Sequence, residues 1–260
     1  MTIEGGALQK NKTKAKLKDG ETVFGAFVRY PDPSLIEFLG YQGWDFLVFD
    51  AEHGTVDPQD CENMTRAAEL RGVTPIIRVT TNSQPVILRF LDTGAQGLLV
   101  PWIQSAVEAR AAVRSVKYQP LGVRGLAGAR AADYGQTQTL TEYVEEANAE
   151  TLVVLQIETA QAIDQLPEIL QVKGIDVIFI GPSDLSQSLG LPGEFQNPRV
   201  QEAMHRIAKT VAQSEAALGL MVRNPESARE WQKNGAQYIA ISIESVIGPA
   251  VKRYLQEAKI

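Results

Sequence analysis

The chain alternates short, continuous apolar runs with longer amphipathic stretches, and this rhythm constrains its fold more than any other feature. Runs that are apolar on both faces are typical of parallel strands covered by helices. We predict eight such strands: Thr22–Val28, Trp44–Asp50, Pro75–Val79, Gly97–Pro101, Leu152–Ile157, Asp176–Ile180, Leu218–Val222 and Tyr238–Ser242. Helical patterns between them cover Pro33–Gly40, Asp60–Arg71, Ala106–Val116, Ala160–Ile169, Val200–Ser214 and Pro225–Asn234.

The number of strands and the chain length favour a closed barrel over an open sheet. Eight strand–helix units in 260 residues match the usual size of a (β/α)₈ barrel. An open, doubly wound sheet usually carries a glycine-rich fingerprint after its first strand, and none follows Val28. No linker divides the chain, so residues 1–260 are predicted to form one α/β domain, a (β/α)₈ TIM barrel.

Two segments fall outside this rhythm. The lysine-rich stretch Lys10–Lys18 predicts a solvated N-terminal helix ending at Asp19-Gly20, in preference to an anion-binding arm. The interval Tyr118–Glu150 contains four glycines and is too irregular for a standard strand–helix unit. A long irregular connection of this kind is usually an active-site loop or an interface element.

Composition narrows the classes of partner. The formal charge of −6 and the isoelectric point near 5.1 disfavour binding to nucleic acid or to an anionic membrane. The single cysteine, Cys61, excludes an internal disulfide framework and a multi-cysteine zinc site. No apolar run approaches the roughly 20 residues needed to cross a bilayer, and the N-terminus lacks the apolar core of a signal peptide. We therefore expect a cytoplasmic protein that acts on small molecules.

Polar side chains collect at the carboxyl ends of four predicted strands, where barrel enzymes place their chemistry. They follow strands two, three, five and six, in this order: Asp50, Glu52 and His53; Arg78; Gln156 and Glu158; Ser183 and Asp184. Each set alone is explained by solvation or by a surface ion pair. Together in one ring, the four sets predict an active site.

The carboxylates of Glu158 and Asp184 indicate a divalent-metal site. Carboxylate oxygens with a neighbouring amide carbonyl, and no histidine or cysteine, suit Mg²⁺ or Mn²⁺. A lysine at a strand end would instead permit Schiff-base chemistry, but the candidates fall in helices or in helix-to-strand loops: Lys117, Lys173, Lys209 and Lys233. The metal is therefore the predicted electron sink.

Arg78 and His53 carry the remaining candidate roles. Arg78 either stabilises a developing oxyanion or forms a structural ion pair with Glu52 or Asp50. His53 lies at a strand end and exchanges a proton near neutral pH, whereas His205 falls inside a helix, where packing is the favoured role. The loops after strands seven and eight lack the glycines that wrap a phosphate, which favours an unphosphorylated substrate.

Six ordered motifs resemble those of the HpcH/HpaI aldolases, the class II pyruvate aldolases. They are Phe49-Asp50-Ala51-Glu52-His53-Gly54, Ile77-Arg78-Val79, Gly97-Leu98-Leu99-Val100-Pro101, Gly122-Val123-Arg124-Gly125, Gln156-Ile157-Glu158-Thr159 and Ile180-Gly181-Pro182-Ser183-Asp184-Leu185-Ser186. The similarity runs from about Lys10 to the C-terminus. It implies a barrel of the phosphoenolpyruvate/pyruvate superfamily and the reversible cleavage of 4-hydroxy-2-keto acids to pyruvate and an aldehyde.

The resemblance also implies site roles. Glu158 and Asp184 would bind the metal, Mg²⁺ or Mn²⁺ with Co²⁺ or Zn²⁺ as further candidates. Gln156 and the backbone near Ser183 would hold the keto acid. Arg78 would stabilise the enolate. His53 would act as the base through a metal-bound water.

The family resemblance also brings three further residues into the predicted site. Asp92 matches an aspartate that orients the histidine, although its predicted position at the opposite barrel face requires a subunit contact. Phe27 stands where several relatives carry a tryptophan, which alters the aldehyde-side pocket. Asp50 is grouped with Phe27 among the substrate-binding residues.

The family pattern extends to assembly. Members are typically hexamers, trimers of dimers that exchange their last helix, so Pro249–Ala258 is an expected interface element in a homo-oligomer. The alternative functions are an acyl-CoA lyase of the citrate or malyl-CoA type and a non-catalytic metabolite-binding barrel. A CoA lyase should present a basic nucleotide-binding surface, which this acidic chain does not suggest.

Overall fold

The computed structural model describes residues 10–259, whose eight parallel strands close into a barrel in sequence order. The strands are β1 Val23–Val28, β2 Phe46–Asp50, β3 Thr74–Arg78, β4 Gly97–Val100, β5 Leu152–Ile157, β6 Val177–Ile180, β7 Ala217–Val222 and β8 Ala236–Ser242. The predicted (β/α)₈ barrel is confirmed, and each predicted strand agrees with the observed one to within two residues at either end.

Helices follow the strands around the barrel. They are α1 Lys12–Lys18, α2 Pro33–Gly40, α3 Pro58–Arg71, α4 Gln84–Leu91, α5 Ala106–Val116, α6 Leu140–Glu150, α7 Ala160–Ile169, α8 Pro182–Ser188, α9 Pro198–Val211, α10 Pro225–Lys233 and α11 Ile243–Ala258. Local signals set their ends. In α3, for example, Asp57 and Asp60 form a reciprocal capping box, and Gly72 ends the helix with a φ of 66°.

Two apolar layers form because alternate residues of each strand point to opposite sides of the sheet. The outer layer packs between the strands and the helices. The inner layer fills the barrel and includes Phe27, Phe46, Phe179 and Tyr238, all at most 1% exposed. The rings of Phe46 and Tyr238 stack at a centroid distance of 3.9 Å. Because the barrel is filled, chemistry is confined to its rims.

Helix α1 seals the end of the barrel where the strands begin. Thr13 Oγ1 donates a hydrogen bond of 2.8 Å to Thr74 Oγ1 at the start of β3. Lys14 Nζ forms an ion pair of 3.1 Å with Asp176, just before β6. The predicted helix is present, but its purely solvated character is wrong, because Lys14 is buried and ion-paired below the barrel.

The irregular part of the interval Tyr118–Glu150 is shorter than the sequence suggested. Its second half is the regular helix α6, which begins with a capping box between Thr139 and Glu142. The first half contains a 3-10 segment, Arg130–Gly135, and packs where the strands begin, because Arg130 Nη1 donates a 2.7 Å hydrogen bond to Thr93 O. Within the chain, this segment is therefore remote from the carboxyl ends of the strands.

Within residues 10–259, no helix is both long enough and apolar enough to cross a membrane.

Candidate active site

Arg78 and Asp50 form a buried ion pair at the carboxyl ends of β3 and β2. The two residues are partners in the strand register. Arg78 Nε lies 2.8 Å from Asp50 Oδ1, and Arg78 Nη2 lies 2.6 Å from Asp50 Oδ2. Burial acts to raise the pKa of Asp50, but the hydrogen bonds and charge of Arg78 outweigh it and hold that pKa below its ordinary value. Asp50 is thus an ionised anchor that fixes the guanidinium.

Arg78 has two further neighbours. Its Nη1 lies 3.1 Å from Glu52 Oε2, and its guanidinium carbon lies 5.0 Å from the centre of the Phe27 ring. Arg78 thus forms both of the ion pairs that the sequence suggested, one with Asp50 and one with Glu52. They do not exclude an oxyanion role, because an arginine held on one side by carboxylates keeps its direction towards the mouth.

Asp50 and Phe27 lie deeper than a substrate-binding role suggests. Asp50 is fully buried, and its Oδ1 also accepts hydrogen bonds from the backbone N–H groups of Glu52 and His53. Phe27 is fully buried in the inner barrel layer. Both side chains therefore support Arg78 in this structure, and their direct contact with substrate stays a prediction.

His53 lies at the solvent-facing rim, in the turn after β2. Its side chain is 55% exposed, and Nε2 lies 3.8 Å from Glu52 Oε2. Burial raises the pKa of Glu52, the Arg78 charge opposes this effect, and the charges of Asp50 and Asp184 add to it. His53 is accessible for proton exchange and has a carboxylate beside it.

Glu158 follows β5 and is 1% exposed. Its Oε1 accepts a 2.7 Å hydrogen bond from the backbone N–H of Trp102, and its Oε2 accepts one from Gln156 Nε2. Burial raises the pKa of Glu158 to about 7. The two hydrogen bonds act to lower this pKa, whereas the negative charges of Asp184 and Glu52 act to raise it further. Three carboxylates therefore repel one another at this rim.

Gly181, after β6, lets the neighbouring strand ends approach closely. A Cβ at this position would lie 2.7 Å from Glu158 Oε2 and 2.9 Å from Gln156 Nε2. The chain then enters α8, whose first turn carries Ser183 and Asp184. The absence of a side chain at Gly181 thus allows β6 to bring Asp184 beside Glu158.

These residues fit a hard divalent cation. The buried carboxylate of Glu158 and the half-buried carboxylate of Asp184 repel each other, and a cation would stabilise this donor set. Gln156 Oε1 is buried without a hydrogen-bond partner. In the described part of the chain, no cluster of three or more histidine, cysteine or acidic ligands was found. Two carboxylates suffice for Mg²⁺, which usually keeps several waters.

Asp92 is not brought to this rim within one chain. It caps the end of α4, at the barrel face where the strands begin, and its Oδ1 lies 2.9 Å from Arg124 Nη2. Asp92 therefore lies at the barrel face that the sequence predicted, opposite the carboxyl ends of the strands. Any contact of Asp92 with a histidine requires another subunit.

A lysine with a strongly lowered pKa lies at that same remote face. Burial, reinforced by the charge of Lys14, lowers the pKa of Lys117 to about 7. Its Nζ donates hydrogen bonds to Thr151 O at 2.7 Å and Asn148 O at 2.8 Å, both before β5. A low-pKa lysine is a Schiff-base candidate, but this one lies across the barrel from the strand carboxyl ends.

Two residues at the site had no assigned role in the sequence prediction. Glu52 was visible only as a partner for Arg78, yet it contacts Arg78 and faces His53. Trp102 carried no signal beyond its place after β4. Its backbone has a φ of 56°, a conformation that is strained for a bulky residue, and it aims the Trp102 N–H at Glu158.

Comparisons with known proteins agree with this geometry. Residues 24–247 match the family model described as HpcH/HpaI aldolase/citrate lyase. The chain belongs to this family. That membership confirms the resemblance found in the sequence motifs and, with it, the prediction of a carbon–carbon lyase.

Individual HpcH/HpaI relatives cover nearly the whole chain. A 4-hydroxy-2-oxo-heptane-1,7-dioate aldolase from Escherichia coli is 34% identical over 92% of this chain and 90% of its own length. A hydroxypyruvate/pyruvate aldolase from Sagittula stellata is 36% identical over 92% of this chain and 94% of its own. A crystal structure of a family protein from Burkholderia cenocepacia J2315 is 32% identical, covers 96% of this chain and 100% of its own, and superposes with a TM-score of 0.91.

Proposed function

We propose that the protein is a divalent-metal-dependent class II aldolase that reversibly cleaves 4-hydroxy-2-keto acids to pyruvate and an aldehyde. The observation that carries this proposal is the set of three interacting carboxylates, Glu158, Asp184 and Glu52, at the rim of the barrel where Glu52 also pairs with Arg78. The relatives named as aldolases support the same chemistry.

Glu158 and Asp184 are the proposed ligands of Mg²⁺ or Mn²⁺, with Co²⁺ or Zn²⁺ as substitutes. When bound there, the cation makes the keto group of the substrate a better electron sink. Gln156, whose Oε1 has no partner, and the backbone near Ser183 are the proposed contacts for the keto acid.

His53 is the proposed proton acceptor for the substrate hydroxyl at C4, directly or through one water. It is exposed at the rim, and Glu52 at 3.8 Å stabilises the positive charge that the imidazole acquires. As the hydroxyl proton leaves, the C3–C4 bond breaks and the aldehyde carbonyl forms. The electron pair of that bond becomes the pyruvate enolate, which takes up a proton at C3 to give pyruvate.

Arg78 is the proposed stabiliser of the enolate oxygen. Its two hydrogen bonds to the Asp50 carboxylate and the ring of Phe27 hold the guanidinium before the reaction begins, so little reorganisation accompanies charge development.

The proposal is tested by following pyruvate release from a panel of 4-hydroxy-2-keto acids and from malyl-CoA. Mg²⁺ or Mn²⁺ is present, or EDTA is added in excess. We expect release from the keto acids, its loss with EDTA, and recovery when the metal is restored. Glu158→Gln should abolish this recovery in a protein that still folds. EDTA-insensitive release contradicts a class II mechanism, and exclusive cleavage of malyl-CoA favours the CoA-lyase alternative.

We also propose a homo-oligomer, a hexamer built as a trimer of dimers that exchange their last helix, α11. Within residues 243–258, Ile243 is the buried side chain, while an apolar face is exposed: Val246, Ile247, Val251, Tyr254 and Leu255. A mainly apolar groove of about 650 Å³ lies on the outer barrel wall between Phe24, Trp44 and Ile241. The α11 helix of a second copy has the complementary chemistry. Asp92 would reach a neighbouring His53 only in such an assembly.

A further inference from the structure

A cationic groove of about 390 Å³ lies between the C-terminal ends of α5 and α7, at the barrel face where the strands begin. We call it the basic groove, and its argued lining is Arg110, Arg114, Gln119, Leu121, Gln171 and Lys173. Within residues 10–259, no acidic side chain lines it. The groove therefore has the opposite sign of charge to the whole chain, whose net charge is −6.

The loop that forms one wall of the basic groove is fixed against the end of α5. Gly122, from one of the six family motifs, makes this possible, because a Cβ there would lie 2.2 Å from Lys117 O and 2.4 Å from Arg114 O. Asn148 of α6 holds the same loop, since its Oδ1 accepts a 2.8 Å hydrogen bond from the backbone N–H of Tyr118. The wall is thus formed without any ligand.

The two arginines of α5 are not needed to cap their own helix. Basic side chains near a helix C-terminus often bind its last carbonyl groups. Here the loop does so, because the backbone N–H of Val123 donates a 2.7 Å hydrogen bond to Arg114 O, and that of Arg124 donates a 2.9 Å bond to Lys117 O. The guanidinium groups of Arg110 and Arg114 keep their donors.

The three cations of the basic groove have no partner among the described residues. Arg110, Arg114 and Lys173 are exposed, and in the range 10–259 their side chains make no hydrogen bond or ion pair. Arg110 and Arg114 also lie one helical turn apart, a spacing at which like charges repel. An anion bound between them would remove this repulsion.

We propose that the basic groove is a binding site for the phosphate group of a small molecule. This inference does not rest on the proposed aldolase function, because the groove lies across the barrel from the candidate active site. The ligand is therefore a second molecule and not the substrate. It occupies the protein while the catalytic rim stays open.

Charge favours a phosphate over a carboxylate. The ends of α5 and α7 each contribute a partial negative charge of about half a unit, so the three cations leave a surplus of about two. A phosphate monoester carries a charge of about −1.5 to −2 near neutral pH and accepts the paired donors of a guanidinium. A single carboxylate would balance only half of the surplus.

The size and lining of the groove leave room for more than the phosphate. Small-molecule sites usually measure about 300 to 1,000 Å³, and the basic groove falls within this range. Leu121, which is 59% exposed, offers an apolar contact for a carbon chain. The side-chain amides of Gln119 and Gln171 can bind hydroxyl groups.

The test is calorimetric titration of the metal-loaded enzyme with glycerol 3-phosphate, glycerate and inorganic phosphate. We expect saturable binding of glycerol 3-phosphate and weaker binding of glycerate, which has the same number of carbons but a carboxylate. Tighter binding of glycerol 3-phosphate than of inorganic phosphate identifies a phosphate ester as the ligand, and the reverse identifies the free anion. Arg114→Ala should weaken glycerol 3-phosphate binding about 10- to 100-fold, the range for a lost charge-assisted hydrogen bond. Arg114→Lys should restore part of the affinity.

Arg206→Ala is the matched control. Arg206 is an exposed arginine that pairs with Asp164 on the helix surface, so its removal changes the net charge equally but leaves the basic groove intact. Its affinity for glycerol 3-phosphate should equal that of the wild type. Absence of saturable binding, equal affinities in Arg114→Ala and Arg206→Ala, or tighter binding of glycerate overturns the inference. A smaller assembly of Arg114→Ala in light scattering also overturns it, because the groove would then be a contact between subunits.

Discussion

Three neighbours determine how Arg78 points towards the mouth of the barrel. Asp50 holds two of its nitrogens, Glu52 contacts the third, and the Phe27 ring lies beneath the guanidinium. This arrangement holds a permanent charge at a defined place before substrate arrives. A lysine provides a similar charge but cannot reproduce the paired hydrogen bonds.

We therefore expect Arg78→Ala to lower kcat for pyruvate release about a hundredfold or more, the usual result of losing one oxyanion contact. Arg78→Lys should retain an intermediate rate. Because Arg78→Ala also leaves Asp50 buried without its partner, circular dichroism is needed to establish that the variant folds. Near-normal pyruvate release from folded Arg78→Ala would refute the oxyanion role.

A second residue-scale prediction concerns Gly181. Its φ of −92° suits any residue, so the effect of a substitution is steric. In Gly181→Ala the new methyl group would displace Glu158 or Gln156, and Mn²⁺ affinity should fall about tenfold or more, as it does when groups supporting metal ligands are altered. Calorimetric titration of the folded protein with Mn²⁺ measures this directly.

Gly128→Ala is its control, because the nearest atom to a Cβ there lies 3.7 Å away, an ordinary contact. Equal Mn²⁺ affinity in Gly181→Ala and Gly128→Ala would show that Glu158 is not a ligand or that the site relaxes freely around the methyl group.

At the scale of elements, buried lysines connect the layers below the barrel. Lys14 of α1 pairs with Asp176 before β6, and both Lys14 and Lys117 donate to the carbonyl of Thr151 before β5. Lys18 adds a smaller repulsion to Lys117. Two ammonium groups therefore share one carbonyl oxygen, with Asp176 as the nearby anion. Burial, followed by the charge of Lys14 and opposed by Asp176, lowers the pKa of Lys117 to about 7.

The sign of the resulting pH dependence follows from proton binding. The pKa of Lys117 is about 7 in the folded chain, against 10.5 as its ordinary value, so between these values the unfolded chain binds more protons. The free energy of unfolding then rises with pH across this window. We expect the wild type to gain stability relative to Lys117→Met, on the order of a few kcal/mol, as the pH increases from 7 towards 10.5.

Urea unfolding of both proteins at several pH values measures this difference, and the titration of lysines and tyrosines that do not interact with Lys117 cancels between them. A pH-independent difference would mean that Lys117 stays charged in the folded state.

At the scale of the whole molecule, α11 contacts β1 and β8 of its own chain but leaves most of its length exposed. Its apolar face is exposed, while the mainly apolar groove between Phe24, Trp44 and Ile241 remains open. Mutual exchange of α11 between two copies would cover both surfaces.

We predict that Val251→Glu, which introduces a charge into this face, dissociates the oligomer into smaller species in size-exclusion chromatography with light scattering. Lys252→Gln lowers the net charge by the same amount at an exposed neighbouring position and should leave the mass unchanged. A wild-type monomer would refute the oligomer proposal, and an unaltered mass in Val251→Glu would refute the role of α11.

The sequence by itself was sufficient for the barrel and for most of the rim. Strands buried on both faces need continuous apolar runs, which is why all eight were found near their observed bounds. The order of strand-end residues was equally informative, because parallel strands bring their carboxyl ends to one rim. The sequence therefore predicts that Asp50, Arg78, Glu158 and Asp184 lie at the same rim, and their positions after β2, β3, β5 and β6 agree with it.

Tertiary structure decided what depends on contacts distant in the chain. The sequence predicts a solvated Lys14, but packing of α1 below the barrel buries it beside Asp176, just before β6. The strained turn at Trp102 has no sequence signal, because it is stabilised by Glu158 from another strand. Arg114 and Lys173, which are distant in the chain, line one groove only because the barrel packs α5 against α7. Local periodicity specifies an element, whereas the partners of a charge depend on which elements the closed fold makes neighbours.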